Sequence, residues 1–318
     1  MKTTACPRRD PLAGAARPPT LGGWLALADK LYARAGLALG QTAATAHDEV
    51  LYLLLHTLGL PPDSDARVLD HHLTAGQQDT VAAVLRRRIV NRVPAAYLTR
   101  EAWLGGQKFY VDERVLIPRS YFVEIIPTLD VLLPPGIAVR RAADVCTGSG
   151  CLAILLAQQF PGAVVDAIDL SPAALEVAAI NVRAHRLGRR VRLRQGDVFA
   201  GVPASPRLRR AGPPAHHDLI ISNPPYEPAT RCDRLPAEFK REPRLALDGG
   251  RDGLDIIRRL LRQAGARLAP HGLLLIEVGG LRRAMTREFK HLHLEWLPTA
   301  DGSDCVCLVR AERLTGTD

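Results

Sequence analysis

The sequence predicts an α/β fold, namely a mostly parallel sheet with an antiparallel edge, preceded by a small helical bundle and a linking β-hairpin. Three observations predict it. Strand and helix patterns alternate from about residue 136, which favours a parallel sheet covered on both faces. The last two strand patterns lie too close together for an intervening helix, so they are expected to pair antiparallel. Residues 21–90 instead carry helical periodicity.

The N-terminal elements begin after a leader, residues 1–20, that is rich in proline and arginine. A signal peptide would need an apolar core there, so we expect a disordered leader and a cytoplasmic protein. Residues 21–95 are predicted to form the bundle because three segments place apolar residues at i, i+3 and i+4. The segments are "LGGWLALADKLYARAG", "AHDEVLYLLLHTLGL" and "TAGQQDTVAAVLRRRIVNR", the last with Thr74 as its N-cap.

The middle elements follow Pro94, which disfavours continuation of a helix. The segment "EAWLGGQKFYVDERVLIPRS" has alternating apolar residues on either side of a break, and this pattern predicts a hairpin within a linker at 96–126.

The C-terminal elements fill a third region, residues 127–318. Strands are predicted near 142–146, 163–169, 190–194, 217–222 and 272–278, with helices near 151–160, 172–187 and 253–268. Two further strands near 292–297 and 304–310 would form the antiparallel edge.

Composition sets limits on function. The chain has 318 residues, 47% of them hydrophobic, and no apolar run approaches the ~18 residues that a membrane span needs, so no membrane role is expected. The net charge is +9, with 37 Arg against 5 Lys. A basic surface favours nucleic acid, a ribonucleoprotein or their partners, although a GC-rich genome accounts for the arginines equally well.

The six cysteines include no Cys-x-x-Cys pair. Cys305 and Cys307 have a spacing that suits strand packing better than zinc binding. We therefore expect no metal site and reduced structural thiols, at residues 6, 146, 151, 232, 305 and 307.

A ligand-binding corner is predicted in "DVCTGSGCLAILLA" (144–157), where a strand ends in Gly148-Ser-Gly150 and a helix begins. Glycines there let the backbone approach a ligand, and the helix start offers N–H groups. Asp169 ends the next strand, where a carboxylate binds ribose hydroxyls in nucleotide-binding α/β folds.

Two ligands fit that corner, a dinucleotide or the methyl donor S-adenosylmethionine. Ala153, at the third position of the dinucleotide fingerprint, would be tolerated by a dehydrogenase. Gly196-Asp197 follows the third strand, where S-adenosylmethionine enzymes place an acid against the adenine amine. Asp197 therefore favours the methyl donor, although it could also be a solvent-exposed aspartate in a turn.

The chemistry is predicted at "NPPY" (223–226), which ends the fourth strand at the edge where ligands bind in such sheets. A conjugated nitrogen is a poor nucleophile, and two acceptors aimed at its N–H bonds would orient it. The Asn223 side-chain oxygen and the Pro224 carbonyl are those acceptors, the prolines fix the backbone, and Tyr226 packs on the planar group. This arrangement predicts methyl transfer to an NH2 group.

At these residues the chain resembles the protein-glutamine amide methyltransferases, which use S-adenosylmethionine and carry a small N-terminal helical domain. The resemblance covers about residues 21–310 and rests on "RVPAAYLT", "VDERVLIPRS", "DVCTGSGCLAI", "IDLSPAALEVAAINVRAH", "NPPY" and "LPAEFKREPRLALDGGRDGLDIIRRLL". It implies a Rossmann-like methyltransferase sheet.

One bacterial branch of the family methylates the Gly-Gly-Gln tip of release factors, and the other methylates ribosomal protein three of the large (50S) subunit. "IPRSYFVEII" (117–126) is similar to the ribosomal-protein branch.

The resemblance assigns candidate roles residue by residue. The candidate catalytic residues are Asn223, Pro224, Pro225 and Tyr226, and the candidate donor-binding residues are Asp144, Thr147, Gly148, Gly150, Asp169, Asp197 and Asn223. Arg119 would serve in packing or in the site, and Glu242 and Asp252 are interpreted as structural caps. "EVGGLRRAM" (277–285) departs from the Glu-Val-Gly-Asn-Ser usual in the family, near the substrate.

Three alternatives remain besides the ribosomal substrate: glutamine methylation of release factors, methylation of the adenine amine in nucleic acid, and a non-enzymatic ribosome-assembly factor. Adenine enzymes need aromatic and basic residues to hold a flipped base, whereas aromatics here are only 5%. The expected partner is the ribosomal protein, with indirect contact to ribosomal RNA or an assembling ribosome.

Overall fold

The computed structural model describes residues 11–14, 16–203 and 216–314. It divides into two compact units, the first comprising Met1–Glu101 with Pro236–Arg241 and the second the remaining residues. The first unit therefore extends past the predicted boundary at 95 and includes a distant segment. Residues 1–10 and 15 of the predicted leader, Cys6 among them, lie outside the described residues.

The helices of the first unit are α1 (Leu21–Ala35), α2 (Ala46–Leu58), α3 (Ala75–Ile89) and α4 (Ala95–Thr99). Threonines begin the first three, since the side chains of Thr20, Thr45 and Thr74 each accept a hydrogen bond from the first turn. At α3 the bonds are reciprocal with Gln77, which makes a capping box. The three predicted helices and the predicted cap at Thr74 are confirmed.

Buried charges hold the Pro236–Arg241 segment to these helices. Arg88, fully buried, donates from Nε to Glu49 Oε1 at 2.7 Å, and its Nη1 lies 3.7 Å from Glu238 Oε1 in the segment. Arg92 donates from Nη1 to Glu238 Oε1, also at 2.7 Å, and both side chains are buried. Breaking one partner of a buried pair is strongly destabilising, so this segment is an integral part of the first unit.

The predicted hairpin is present as a two-stranded sheet of β1 (Glu101–Leu104) and β2 (Gln107–Tyr110). Gly105 and Gly106 join the strands with φ of +56° and +72°, a region that glycine enters without strain. Two short helices follow, α5 (Phe122–Ile125) and α6 (Leu129–Leu132).

Within the described residues a sheet of seven strands forms the centre of the second unit, in the order β5-β4-β3-β6-β7-β9-β8. The first five run parallel, and β9 lies antiparallel to both β7 and β8. The predicted parallel sheet with an antiparallel edge is therefore confirmed. The strands are β3 (Arg141–Val145), β4 (Val164–Asp169), β5 (Val191–Gln195), β6 (His217–Ser222), β7 (Leu268–Glu277), β8 (Glu295–Leu297) and β9 (Val306–Arg310).

The helices that follow α5 and α6 in this unit are α7 (Cys151–Gln159), α8 (Pro172–Ala184), α9 (Ala229–Cys232), α10 (Asp255–Ala264), α11 (Arg282–Glu288) and α12 (Ala311–Leu314). Side chains from alternate positions of the central strands enter separate apolar clusters. Leu219 and Ile221 of β6 belong to one cluster, and Ile220 between them belongs to the other. Both faces are thus covered, which is why the central strands are apolar throughout.

Parallel register brings the carboxyl ends of the central strands to one edge. Val145 of β3 lies beside Ile168 of β4 and Ser222 of β6, and Ser222 in turn lies beside Ile276 of β7. The residues that follow on each strand therefore face a common region. In the described part of the chain, no helix has the length and apolar character to cross a bilayer.

Candidate active site

A cavity opens at this edge of the sheet. It is lined by two groups of predicted site residues, the glycine corner with its acids and the polar corner after β6. The lining includes Arg114, Cys146, Gly148, Asp169, Leu170, Gly196, Asp197, Asn223, Pro225, Leu245 and Ile256. The structure therefore brings the two predicted corners together around one space.

The glycine corner after β3 has an unusual backbone. Cys146, Gly148 and Gly150 have φ of +64°, +55° and +80°, in the left-handed region. A Cβ on Gly150 would stand 3.1 Å from Cβ of Ala178 in α8, whereas one on Gly148 would have no neighbour within 4 Å. Gly150 is thus needed for packing, and Gly148 leaves open space on the cavity side.

Asp144 and Thr147 hold this corner from inside. Asp144 is fully buried, and its Oδ2 accepts from Thr147 Oγ1 at 2.5 Å and from the backbone N–H of Ala153 at 2.9 Å. Burial raises the pKa of Asp144 to about 7. Among the described residues that line the cavity, Asp144, Thr147 and Gly150 are not found. All three shape the loop from behind.

Asp169, at the end of β4, lines the cavity and organises the loop. Its Oδ2 accepts from the Gly148 N–H at 2.8 Å, and its Oδ1 accepts from the Ser171 N–H at 2.9 Å. Burial raises the pKa of this carboxyl, while the two backbone bonds lower it. The carboxylate is therefore fixed at the position that the sequence predicts for a ribose ligand.

Asp197, after β5, also lines the cavity but is paired. Nη1 of Arg259 in α10 lies 2.5 Å from both of its carboxylate oxygens, and both side chains are partly exposed. This arginine partner was not predicted from the sequence. A ligand amine at Asp197 would share the carboxylate with it.

The polar corner after β6 is fixed through Asn223. Its Nδ2 donates to Glu277 Oε1 at 3.2 Å and to the backbone carbonyl of Arg119 at 3.4 Å. Within the described parts of the chain, no donor reaches its Oδ1. Asn223 and Pro225 line the cavity.

Glu277 is the site residue that the sequence analysis missed. It ends β7, is 3% exposed, and accepts through Oε2 from Ser120 Oγ at 2.5 Å and from the Tyr121 N–H at 3.0 Å. Burial raises its pKa to about 7. An acid that ends the apolar run "LLLIE" at the ligand-binding edge of the sheet was the available signal.

Three glycines allow the chain to close around Tyr226. A Cβ on Gly249 would stand 2.7 Å from the Pro225 carbonyl oxygen, one on Gly253 would stand 2.4 Å from the Tyr226 carbonyl oxygen, and one on Gly279 would stand 2.6 Å from Tyr226 Cε2. Gly279 and Gly253 also have positive φ. The "DGGRDGL" and "EVGG" segments are therefore required for packing against the corner.

Arg119 and Glu242 form a bidentate ion pair, with both Nη–Oε distances 2.7 Å. The Glu242 side chain is fully buried, and both of its carboxylate oxygens bind the Arg119 guanidinium. Asp252 does accept from the Leu254 N–H before α10, at 3.1 Å, and so acts as a local cap that also pairs with Arg258.

The class of protein follows from this edge of the sheet and from one comparison. Residues 126–235, which contain the glycine corner, Asp169, Asp197 and the polar corner, match the family model of the methyltransferase small domain. The chain is an enzyme with a Rossmann-like methyltransferase fold.

Curated relatives narrow the class. Ribosomal protein uL3 glutamine methyltransferase of Burkholderia pseudomallei is 46% identical over 287 residues, covering 89% of this chain and 92% of that protein. The protein of the same name from Neisseria meningitidis serogroup B is 43% identical over 300 residues (94% and 95%), and the one from Bordetella pertussis is 45% identical over 284 residues (88% and 91%). The chain belongs to the ribosomal protein uL3 glutamine methyltransferase family.

Proposed function

We propose that this enzyme transfers the methyl group of S-adenosylmethionine to the side-chain amide nitrogen of a glutamine in ribosomal protein uL3. The observation that carries the proposal is the orientation of Asn223, whose NH2 is bonded to Glu277 and to the Arg119 carbonyl. Its Oδ1 is thereby left to accept a hydrogen bond from a substrate amide.

The donor would be held by the first half of the cavity. Gly148 offers space for a ligand beside the backbone, and the Asp169 carboxylate is positioned to bind ribose hydroxyls. Asp197 would accept from the adenine amine beside Arg259. Asp144, Thr147 and Gly150 would act indirectly by fixing the loop. When bound, S-adenosylmethionine supplies an electrophilic methyl group on a positively charged sulfur.

The substrate amide would be held by the second half. Its lone pair is delocalised into the carbonyl, so the nitrogen needs help to act as a nucleophile. Asn223 Oδ1 and the Pro224 carbonyl would accept its two N–H bonds, which orients the nitrogen and stabilises the positive charge that develops there. Pro224 and Pro225 hold the backbone rigid, and Tyr226 would pack against the planar amide. The methylated amide then loses a proton to water.

The choice of uL3 as substrate rests on the relatives, which carry that name at 43–46% identity over most of both chains. The "IPRS" signature is similar to the ribosomal-protein branch, and its Ser120 is bonded to Glu277 beside the polar corner. The net charge of +9 suits a partner destined for ribosomal RNA. Indirect contact with ribosomal RNA or an assembling ribosome and a cytoplasmic location remain part of the proposal.

The test is a side-by-side assay with radiolabelled methyl donor and three purified substrates: uL3, a release factor and an adenine-containing duplex. We expect label on uL3, in a tryptic peptide in which mass spectrometry locates one added methyl on a glutamine. Label on the release factor alone would assign the enzyme to the release-factor branch of the family. Absence of label on every glutamine would overturn the proposal.

A further inference from the structure

Three consecutive residues converge on the pair formed by Asn223 and Glu277. The Arg119 carbonyl accepts from Asn223 Nδ2, while the Ser120 hydroxyl and the Tyr121 N–H both donate to Glu277. The bidentate pair of Arg119 with Glu242 anchors this stretch of chain. Part of the "IPRSYFVEII" segment, which is similar to the ribosomal-protein branch, is therefore in direct contact with the polar corner.

A side-chain amide can turn by 180° and exchange its oxygen with its NH2 unless its neighbours distinguish the two. Both neighbours of Asn223 Nδ2 are acceptors, a backbone carbonyl and a carboxylate oxygen. The turned amide would place Oδ1 against those oxygens and lose both hydrogen bonds. Donation to a charged acceptor also polarises the amide and strengthens Oδ1 as an acceptor.

We propose that Glu277 and Ser120 are positioning residues that fix the amide orientation of Asn223, and that ionised Glu277 is the form that does so. The proposal deepens the proposed function and rests on it in one respect, the use of Asn223 Oδ1 as the acceptor for the substrate amide. Ser120 acts through Glu277 by holding its second oxygen at 2.5 Å.

The arrangement predicts a pH dependence. Burial raises the pKa of Glu277 to about 7, so the ionised fraction grows as pH rises from 6 to 8, and turnover is expected to rise with it. The charged and titratable groups that face Glu277 are Arg119, Tyr226 and Cys305. The guanidinium keeps its charge, and burial raises the pKa of both Tyr226 and Cys305, so neither ionises in this range.

A second acid requires a control. Burial raises the pKa of Asp144 also to about 7, but Asp144 bonds to Thr147 and Ala153 in the glycine corner. Its titration would act on donor binding. The pH series is therefore run at saturating S-adenosylmethionine, where kcat reports the acceptor side.

The kinetic test compares Glu277→Gln and Ser120→Ala with wild type on uL3. We expect Glu277→Gln to lower kcat about 10- to 100-fold and to remove its rise near pH 7, with the KM for the donor unchanged. Ser120→Ala should lower kcat about two- to tenfold and keep the pH rise. Glu295→Gln, which loses an exposed ion pair with Arg310, and Ser64→Ala, in the first unit, are the matched controls and should match wild type.

A readout without substrate separates this proposal from the proposed function. In protein labelled with ¹⁵N-asparagine, the side-chain amide signals of Asn223, assigned by their loss in Asn223→Ala, should titrate near pH 7 in wild type and stay constant in Glu277→Gln. Flat signals in wild type, or a Glu277→Gln enzyme with normal kcat and pH profile, would overturn the positioning role. A titrating amide in an enzyme that labels no glutamine would overturn only the proposed function.

Folding is checked by thermal melting at pH 8, where Glu277→Gln should melt no lower than wild type because it removes a buried charge. A lower melting temperature together with lost activity would assign Glu277 a structural role and overturn the positioning role.

Discussion

The glycine corner and the polar corner lie at the same edge of one sheet but are held together differently. In the glycine corner, Asp144 bonds to residues three and nine positions away, and Asp169 bonds to residues two and 21 positions away. In the polar corner, Asn223 bonds across 54 and 104 residues, and Ser120 reaches Glu277 across 157. The first corner is a local motif, and the second is assembled from three distant segments.

This difference indicates which parts of the structure the geometry of each corner depends on. A local loop is stabilised mainly by the strand and helix that flank it. An assembled corner depends on the tertiary fold around it, so small displacements there alter the geometry of the reacting groups. Four substitutions test the comparison, beginning with the largest expected effect.

Asn223→Ala should lower kcat about 10²- to 10³-fold and leave the donor Kd nearly unchanged, because it removes one preorganised acceptor from the transition state. Single-turnover kinetics on uL3 and calorimetry with the donor measure the two quantities. Asn91→Ala, at an exposed position of the first unit, is the control. If the donor Kd changed as much as kcat, Asn223 would also act on donor binding, and the two corners would not have separate roles.

Asp169→Ala should act on the other corner and raise the donor Kd about 10- to 100-fold, since hydrogen bonds to a charged group contribute roughly 1.5–3 kcal/mol. Calorimetry measures this change in Kd. At saturating donor, kcat should stay within about threefold of wild type, which corresponds to a change in the activation barrier of less than about 1.36 kcal/mol. An unchanged Kd would remove Asp169 from the donor site.

Gly279→Ala should lower the free energy of unfolding by about 1–3 kcal/mol, because the residue has φ of +49° and its new Cβ would stand 2.6 Å from Tyr226 Cε2. Gly280→Ala is the matched control, since nothing lies within 4 Å of its Cβ position; its effect should stay within about 0.5 kcal/mol. Denaturant unfolding of both variants checks this. Equal effects would show that Tyr226 is not closely packed.

Arg259→Ala should have the smallest effect. Its pair with Asp197 is partly exposed, so stability should fall by less than about 1 kcal/mol. The freed carboxylate should bind the donor slightly more tightly, by a few-fold at most, as calorimetry would detect. Arg262→Ala, in the last turn of the same helix, is the control. Weaker donor binding in Arg259→Ala would mean that the arginine itself contacts the donor.

The sequence predicted most of the fold because each element carries its own signal. The alternating strands and helices, the cap at Thr74 and the hairpin pattern all depend on neighbours within a few residues. The same holds for Gly148, Asp169 and the Asn-Pro-Pro-Tyr corner, which follow the ends of strands.

Three features were missed, and each depends on a tertiary contact. Glu277 looks like an ordinary polar residue at a strand end until β6 and β7 pair and place it beside Asn223. Glu242 was interpreted as a cap, and its pairing with Arg119, 123 residues away, has no local sequence signal. Arg259 of α10 pairs with Asp197, which follows β5, across 62 residues of the chain.

The Pro236–Arg241 segment, which belongs to the helical unit, is synthesised long after the helices that it joins. Arg92 emerges from the ribosome 146 residues before Glu238, its buried counterion. At 5–20 residues per second, that interval is on the order of ten seconds. A nascent chain that has already formed three helices therefore holds this guanidinium without its carboxylate partner until four of the seven strands of the sheet have been translated. The first region to be made is thus among the last to be completed.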